Sequence, residues 1–179
     1  IGANAMKWYV LFVRTGREER VKRFLENKLD HENITPFIPL HEIIFKRKDF
    51  YKIETKLLFP GYLFIESELS DFEFVRKLTP ILYYQSDVIR LLRYSQSEIA
   101  MRDSEVQMLL DLYNGDYCIG MSKGIIVGDQ IIVTDGPLKG RESIVRKIDR
   151  HKREAKIEMM FMGEPRLITV GLEIIKKYD

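Results

Sequence analysis

The chain has 179 residues, 45% of them hydrophobic and 31% charged, which suits one large globular domain or two small ones. Its formal net charge of +2 is too small for the whole-molecule field to decide what it binds. No apolar run approaches the roughly 20 residues that cross a bilayer, and the single cysteine, Cys118, excludes an internal disulfide framework and fits a reducing cytoplasm.

Ile1 to Ala5 carry no pattern and read as a remnant of expression, with Met6 as the native start. Charges at Lys7 and Arg14 interrupt any signal peptide. Lys7 to Val13 is aromatic and β-branched, and its near-continuous apolar run predicts a central strand covered on both faces. After a turn at Thr15-Gly16, the spacing of Val21, Phe24, Leu25, Lys28 and Leu29 predicts a helix over 17–29. Thr15 and Glu18 have the spacing of a capping box. Ile34 to Leu40, with two prolines, reads as an irregular extended segment. Glu42 to Leu58 alternates around Lys46-Arg47-Lys48-Asp49 and predicts a β-hairpin with a basic tip. Phe59-Pro60-Gly61 turns the chain into a strand from Tyr62 to Ile65. Ser70 caps a helix over 71–78 that Thr79-Pro80 ends, and Ile81 to Tyr84 reads as a short strand. Ser97 or Asp103 starts a helix carrying Val106, Leu109, Leu110 and Tyr113.

Residues 114–124 contain three glycines and no periodicity, so they read as a linker. Beyond it the pattern is all β, with strands expected over 130–133, 143–148, 155–162 and 166–170. Short strands over about 55 residues suggest a small barrel. Charge is unevenly spread. Basic and acidic residues balance from Lys7 to Lys123, at 18 each. Between Lys139 and Lys156, eight basic residues face three acidic ones, a net +5 over 18 residues.

Several motifs resemble the NusG family of transcription elongation factors. The likeness runs through Trp8-Tyr9-Val10, Gly16 with Glu18, Ile38-Pro39, Glu42-Ile43, Phe59-Pro60-Gly61-Tyr62, and Val75-Arg76 to Tyr84. Phe59-Pro60-Gly61-Tyr62 is the most specific of these. The second part resembles a KOW domain through Gly128-Asp129, Val133 to Leu138 and Ile144-Val145. The resemblance implies an α+β fold. An N-terminal NGN-type antiparallel sheet with flanking helices (6–113) would be followed, after the linker, by a small KOW-type β-barrel (125–179). It also implies a non-enzymatic, monomeric factor without cofactor or metal. The NGN part would bind RNA polymerase through an apolar patch carried here by Tyr9, Phe59, Tyr62 and Tyr84. The same four residues also suit plain sheet packing.

Two departures stand out. Ser143 occupies a position where the family usually has glycine, and Tyr83-Tyr84 replace a Gly-Phe pair. The short chain, the basic stretch and the departure at Ser143 make the chain most similar to the specialised LoaP-type antiterminators, which are implied to recognise an RNA hairpin in a leader transcript. The residues expected to bind RNA are Lys139, Arg141, Arg146, Lys147, Arg150, His151, Lys152 and Arg153. The alternative for this cluster is a charged barrel surface balanced by Glu142, Asp149 and Glu154. The hairpin tip, Lys46, Arg47 and Lys48, is a candidate contact to upstream DNA or RNA, or else a solvated turn. A competing reading is a general NusG-type factor whose KOW domain binds a ribosomal protein or termination factor through an apolar strip at Met159-Met160-Phe161-Met162. One specialised family member refolds its second domain into helices. The β-branched, glycine-rich pattern here predicts a stable barrel instead.

Catalysis finds little support. His31, His41 and His151 lack metal-ligand spacing, and Cys118 has no neighbouring histidine. Gly136 to Gly140 lacks the spacing of a phosphate-binding loop and the Ser or Thr that follows its lysine.

Overall fold

The computed structural model describes residues 5–29 and 33–179. Ile1–Asn4 and His31 therefore lie outside the described residues. In chain order the elements begin with β1 (Lys7–Val13), α1 (Glu18–Lys28), β2 (Ile34–Phe37), β3 (Leu40–Arg47), β4 (Phe50–Leu57), β5 (Tyr62–Ser67), α2 (Asp71–Leu82) and β6 (Val88–Leu91). They continue with α3 (Asp103–Leu112), β7 (Cys118–Ile119), β8 (Ser122–Val127), β9 (Gln130–Asp135), a 3-10 turn (Glu142–Ile144), β10 (Val145–Asp149), β11 (Glu154–Phe161) and β12 (Glu164–Tyr178). The chain separates into two compact units. Residues up to Pro39 join Phe59–Val106 in the first, and Leu40–Leu58 join Gln107–Asp179 in the second.

The first unit is built on a four-stranded sheet ordered β2-β5-β1-β6, with every neighbouring pair antiparallel. The apolar run of β1 places it inside this sheet, and Trp8 to Leu11 are buried on both faces, as the pattern predicts. Tyr9, Leu11 and Val13 face a core filled by Val21 and Leu25 of α1 and Phe74 and Leu78 of α2. Each such side chain contributes about 1.5–3 kcal/mol of burial. Trp8, Phe37, Phe59 and Phe64 form an aromatic layer, with ring centroids 5.1–6.2 Å apart. Ile34–Phe37 is a regular edge strand, not an irregular segment. Its Pro36 is tolerated because an edge strand needs fewer backbone donors.

Two local expectations fail for clear reasons. Thr15 does not cap α1, whose N-cap is Arg17 without a side-chain bond. Glu18 is instead buried and accepts a hydrogen bond from Gly61 N at 2.7 Å. The α2 helix runs through Pro80 to Leu82, so Ile81 to Tyr84 is not a strand. Ser70 and Glu73 form a full capping box, and Phe74 and Leu78 anchor the helix in the core. Pro80 and Arg76 are exposed, so water can satisfy the carbonyl that the proline leaves unbonded.

The second unit combines the β3–β4 hairpin, β7 and a five-stranded sheet ordered β10-β11-β12-β8-β9. The hairpin forms as predicted, with Arg47 paired to Phe50 across the tip. Residues 114–124 carry β7, which pairs in parallel with β3, and the start of β8, which pairs in parallel with β12. At the ends of the sheet, Glu142 before β10 accepts from Val133 N of β9 at 3.0 Å, tying the two edges through a side chain. Gly171 lets β12 run close to β3, where an added Cβ would stand 2.6 Å from the Glu42 carbonyl oxygen.

Candidate functional site

The first candidate surface grows from the Phe59-Pro60-Gly61 turn. Gly61 has φ +86°, and Tyr62 N donates to Phe59 O at 3.1 Å. Gly61 O accepts from Val13 N at 2.8 Å, so this bond and the Glu18 carboxylate fix the turn to β1 and α1. The register then sets Arg90, Phe12 and Tyr62 in one row across β6, β1 and β5. Phe12 and Tyr62 rings lie 5.3 Å apart, and the Arg90 guanidinium sits 5.9 Å from the Phe12 ring. Both rings are half-buried and Arg90 is exposed. Past α2, Tyr83 and Tyr84 are 85% and 81% exposed and pack edge to face at 5.4 Å. Exposed aromatic rings are costly in water and suit a protein contact.

The four residues expected in the apolar patch divide by burial. Tyr84 is open and Tyr62 partly so. Phe59 lies buried against Phe64 at 5.3 Å and supports the sheet from below. Tyr9 is fully buried, stacked on Phe74 at 3.6 Å, and its hydroxyl donates to Leu69 O at 2.7 Å and Asp71 Oδ1 at 3.0 Å. Burial and the neighbouring Asp71 push its phenol well above the usual range. Tyr9 and Phe59 therefore present no surface to a partner.

The second candidate surface is basic. The β10–β11 turn is shaped by Asp149, which accepts from Lys152 N at 2.9 Å, and by Arg153 at φ +56°. The backbone bond from Lys152 holds the Asp149 carboxyl below its ordinary value. This turn projects Arg150, His151 and Lys152 outward. Arg153 reaches Glu173 of β12 at 3.3 Å, and Lys46 from the hairpin tip reaches the same carboxylate at 2.8 Å. Two segments distant in sequence thus meet at one acidic side chain. Arg47 and Lys48 are exposed at the tip.

Other members of the basic cluster lie elsewhere. Arg141 pairs with Asp111 at 3.5 Å, and Arg146 pairs with Glu158 at 2.9 Å and donates to Ser143 O at 2.6 Å. Lys147 extends from β10 and Lys139 from the loop after Gly136; both are exposed. Sequence reasoning left out Lys56, on the hairpin's second strand, and Glu173, the shared partner. A carboxylate within a mostly apolar strand was the available signal for Glu173. The apolar strip at Met159 to Met162 is largely internal, because Met159 and Phe161 are each only 4% exposed. Met160 and Leu167 are open on the opposite face of the sheet, at 46% and 54%.

The Gly136-Pro137-Leu138 turn frames this unit. Leu138 is fully buried, and its N–H donates to Ser122 Oγ at 3.0 Å. Cys118 is buried, which raises its thiol above the ordinary value and keeps it unreactive. Among the described residues no group of three His, Cys, Asp or Glu is placed to hold a metal ion. No helix among them is long and apolar enough to cross a membrane.

A family profile described as transcription termination factor nusG matches residues 6–110, more than half of the chain. The chain belongs to the NusG family. NusG-family relatives match along nearly its whole length. The Rickettsia conorii transcription termination/antitermination protein NusG is 28% identical, covering 98% of this chain and 92% of its own. The Chlamydia trachomatis protein of the same name is 24% identical over 88% of this chain and 86% of its own. Among solved structures, one described as domain interaction in Thermotoga maritima NusG superposes with a TM-score of 0.51 at 21% identity, over 97% of this chain and 96% of that one. That likeness supports the NusG-type α+β fold, with an N-terminal NGN part and a C-terminal β part.

Proposed function

We propose that the protein is a transcription elongation and antitermination factor of the LoaP type, recruited to RNA polymerase by a hairpin in the leader transcript. In this reading residues 6–113 form the polymerase-binding NGN domain, with Tyr84 and Tyr62 as its contact residues. Residues 125–179 form the KOW domain, which holds RNA. The observation that carries RNA recruitment is the exposed β10–β11 turn. Arg150 and Lys152 point to solvent and enter no ion pair among the described residues. Unpaired surface cations dominate affinity for phosphates, and RNA hairpins are read through phosphates and unstacked bases, because the A-form major groove is closed to side chains.

Fluorescence anisotropy with a panel of leader hairpins tests this. Arg150→Glu with Lys152→Glu is expected to abolish hairpin binding while the fold persists; unchanged affinity would sink the RNA reading. The open Met160 and Leu167 favour a second reading, in which the β domain docks a ribosomal protein or termination factor. Met160→Asp would then remove protein capture and leave RNA affinity alone. Upstream DNA remains a proposed contact for Lys46, Arg47 and Lys48.

A further inference from the structure

The hairpin tip belongs to the same compact unit as the β domain, and the two line a cleft made of two adjoining open depressions. One lobe, of about 350 Å³, is lined by Phe45, Lys46 and Lys56 of the hairpin and by His151, Lys152 and Arg153 of the β10–β11 turn. An adjoining lobe, of about 460 Å³, shares Lys46, His151 and Arg153 and adds Arg150. Five cations, Lys46, Lys56, Arg150, Lys152 and Arg153, face two carboxylates, Glu154 and Glu173. Glu173 is spent on holding Lys46 and Arg153 together. The remaining field is positive. Phe45 is 46% exposed at this wall, and it is the aromatic side chain of the hairpin that the cleft receives. Gly171 makes the arrangement possible, because any side chain there would drive β12 away from the hairpin backbone.

We propose that this cleft is a single composite site for the unpaired nucleotides of an RNA hairpin, with flanking phosphates on the cations and a base stacked on Phe45. The proposal rests on the RNA reading above and narrows it to the loop or bulge, not the stem. Cations paired with an aromatic platform are the chemistry of single-strand binding. A duplex would offer phosphates without a free base face to Phe45.

The test uses the full chain and two fluorescein-labelled RNAs: a stem-loop with a long unstructured loop, and a blunt duplex of equal length. The stem-loop is expected to bind more tightly. Phe45→Ala should weaken it by at least about fivefold, the lower end of what a lost stack costs. Lys56→Gln should weaken it too and lower the salt slope by about 0.7, one single-strand phosphate contact. Arg150→Gln should do the same from the opposite wall. If Arg150→Gln weakens binding while Phe45→Ala and Lys56→Gln stay within twofold of the parent, the composite site is wrong and the RNA reading survives. If neither RNA binds, both fail. Equal binding of the two RNAs would overturn the assignment to unpaired nucleotides. Because Phe45 and Lys56 are exposed, their variants are expected to fold.

Discussion

The Phe59-Pro60-Gly61 turn and the Gly136-Pro137-Leu138 turn both set a proline beside a glycine of positive φ, +86° at Gly61 and +95° at Gly136. They are held by different means. A Cβ added at Gly61 would meet nothing closer than 3.4 Å, and a charged side chain, Glu18, secures the turn. A Cβ at Gly136 would stand 2.5 Å from Met121 O and 2.6 Å from Ser122 Cα. Backbone packed on backbone leaves the second turn no alternative. The first is a fixture that side chains can adjust, beside the half-buried rings of Phe12 and Tyr62. The second is part of the frame on which the basic cleft is hung.

That contrast can be broken experimentally. The largest effect is expected from Gly136→Ala. It combines left-handed strain with a backbone clash, so a loss above about 3 kcal/mol is expected in urea unfolding. Gly61→Ala should cost only the left-handed strain, about 1–2 kcal/mol; equal losses would erase the distinction. Glu18→Ala leaves the buried Gly61 N–H without its carboxylate and should cost about 2 kcal/mol, with polymerase capture falling because the Tyr62 rim loosens. Tyr84→Ala should leave stability unchanged and weaken polymerase binding by about 2 kcal/mol, read by pull-down titration. Tyr9→Phe should do the reverse, losing about 1 kcal/mol of stability through its buried hydroxyl.

The smallest effect concerns pH. His41, buried at the base of the hairpin, has its pKa lowered from 6.5, chiefly by burial. A depressed histidine folds in its neutral form. Its contribution to stability is full above pH 6.5 and is lost as the pH falls through the lower folded value. Unfolding midpoints should therefore drop between neutral pH and pH 5, and His41→Gln should flatten that drop.

The hairpin and the central position of β1 were legible because they rest on local periodicity and turn chemistry, while the α+β class came with the family resemblance. The end of α2 was not. Pro80 signals a stop, yet core anchoring by Phe74 and Leu78 outweighs one missing bond at an exposed position. Glu18 looked like a capping residue because sequence spacing cannot show that a turn 43 residues away supplies a better donor. Of the basic residues expected at the site, most lie exposed, but Arg141 and Arg153 are half-buried in ion pairs with Asp111 and Glu173. The buried Tyr9 and Phe59 could not be told from the open Tyr84, because an aromatic residue in a strand pattern has no sidedness until the sheet is assembled. The meeting of Lys46 with Arg153 depends on the packing of β3 against β12, which no local pattern encodes.

The seating of the hairpin against β12 also bears on how the protein comes into being. Strands β3 and β4 are made early, but Gly171 and Glu173, which receive them, lie more than a hundred residues later. Contacts so far apart in the chain form late, after their loop-closure cost is met. During synthesis the strands of the first sheet are therefore all present while the hairpin still waits without its dock. The wall that Glu173 to Ile175 give the cleft is complete only once β12 has been made.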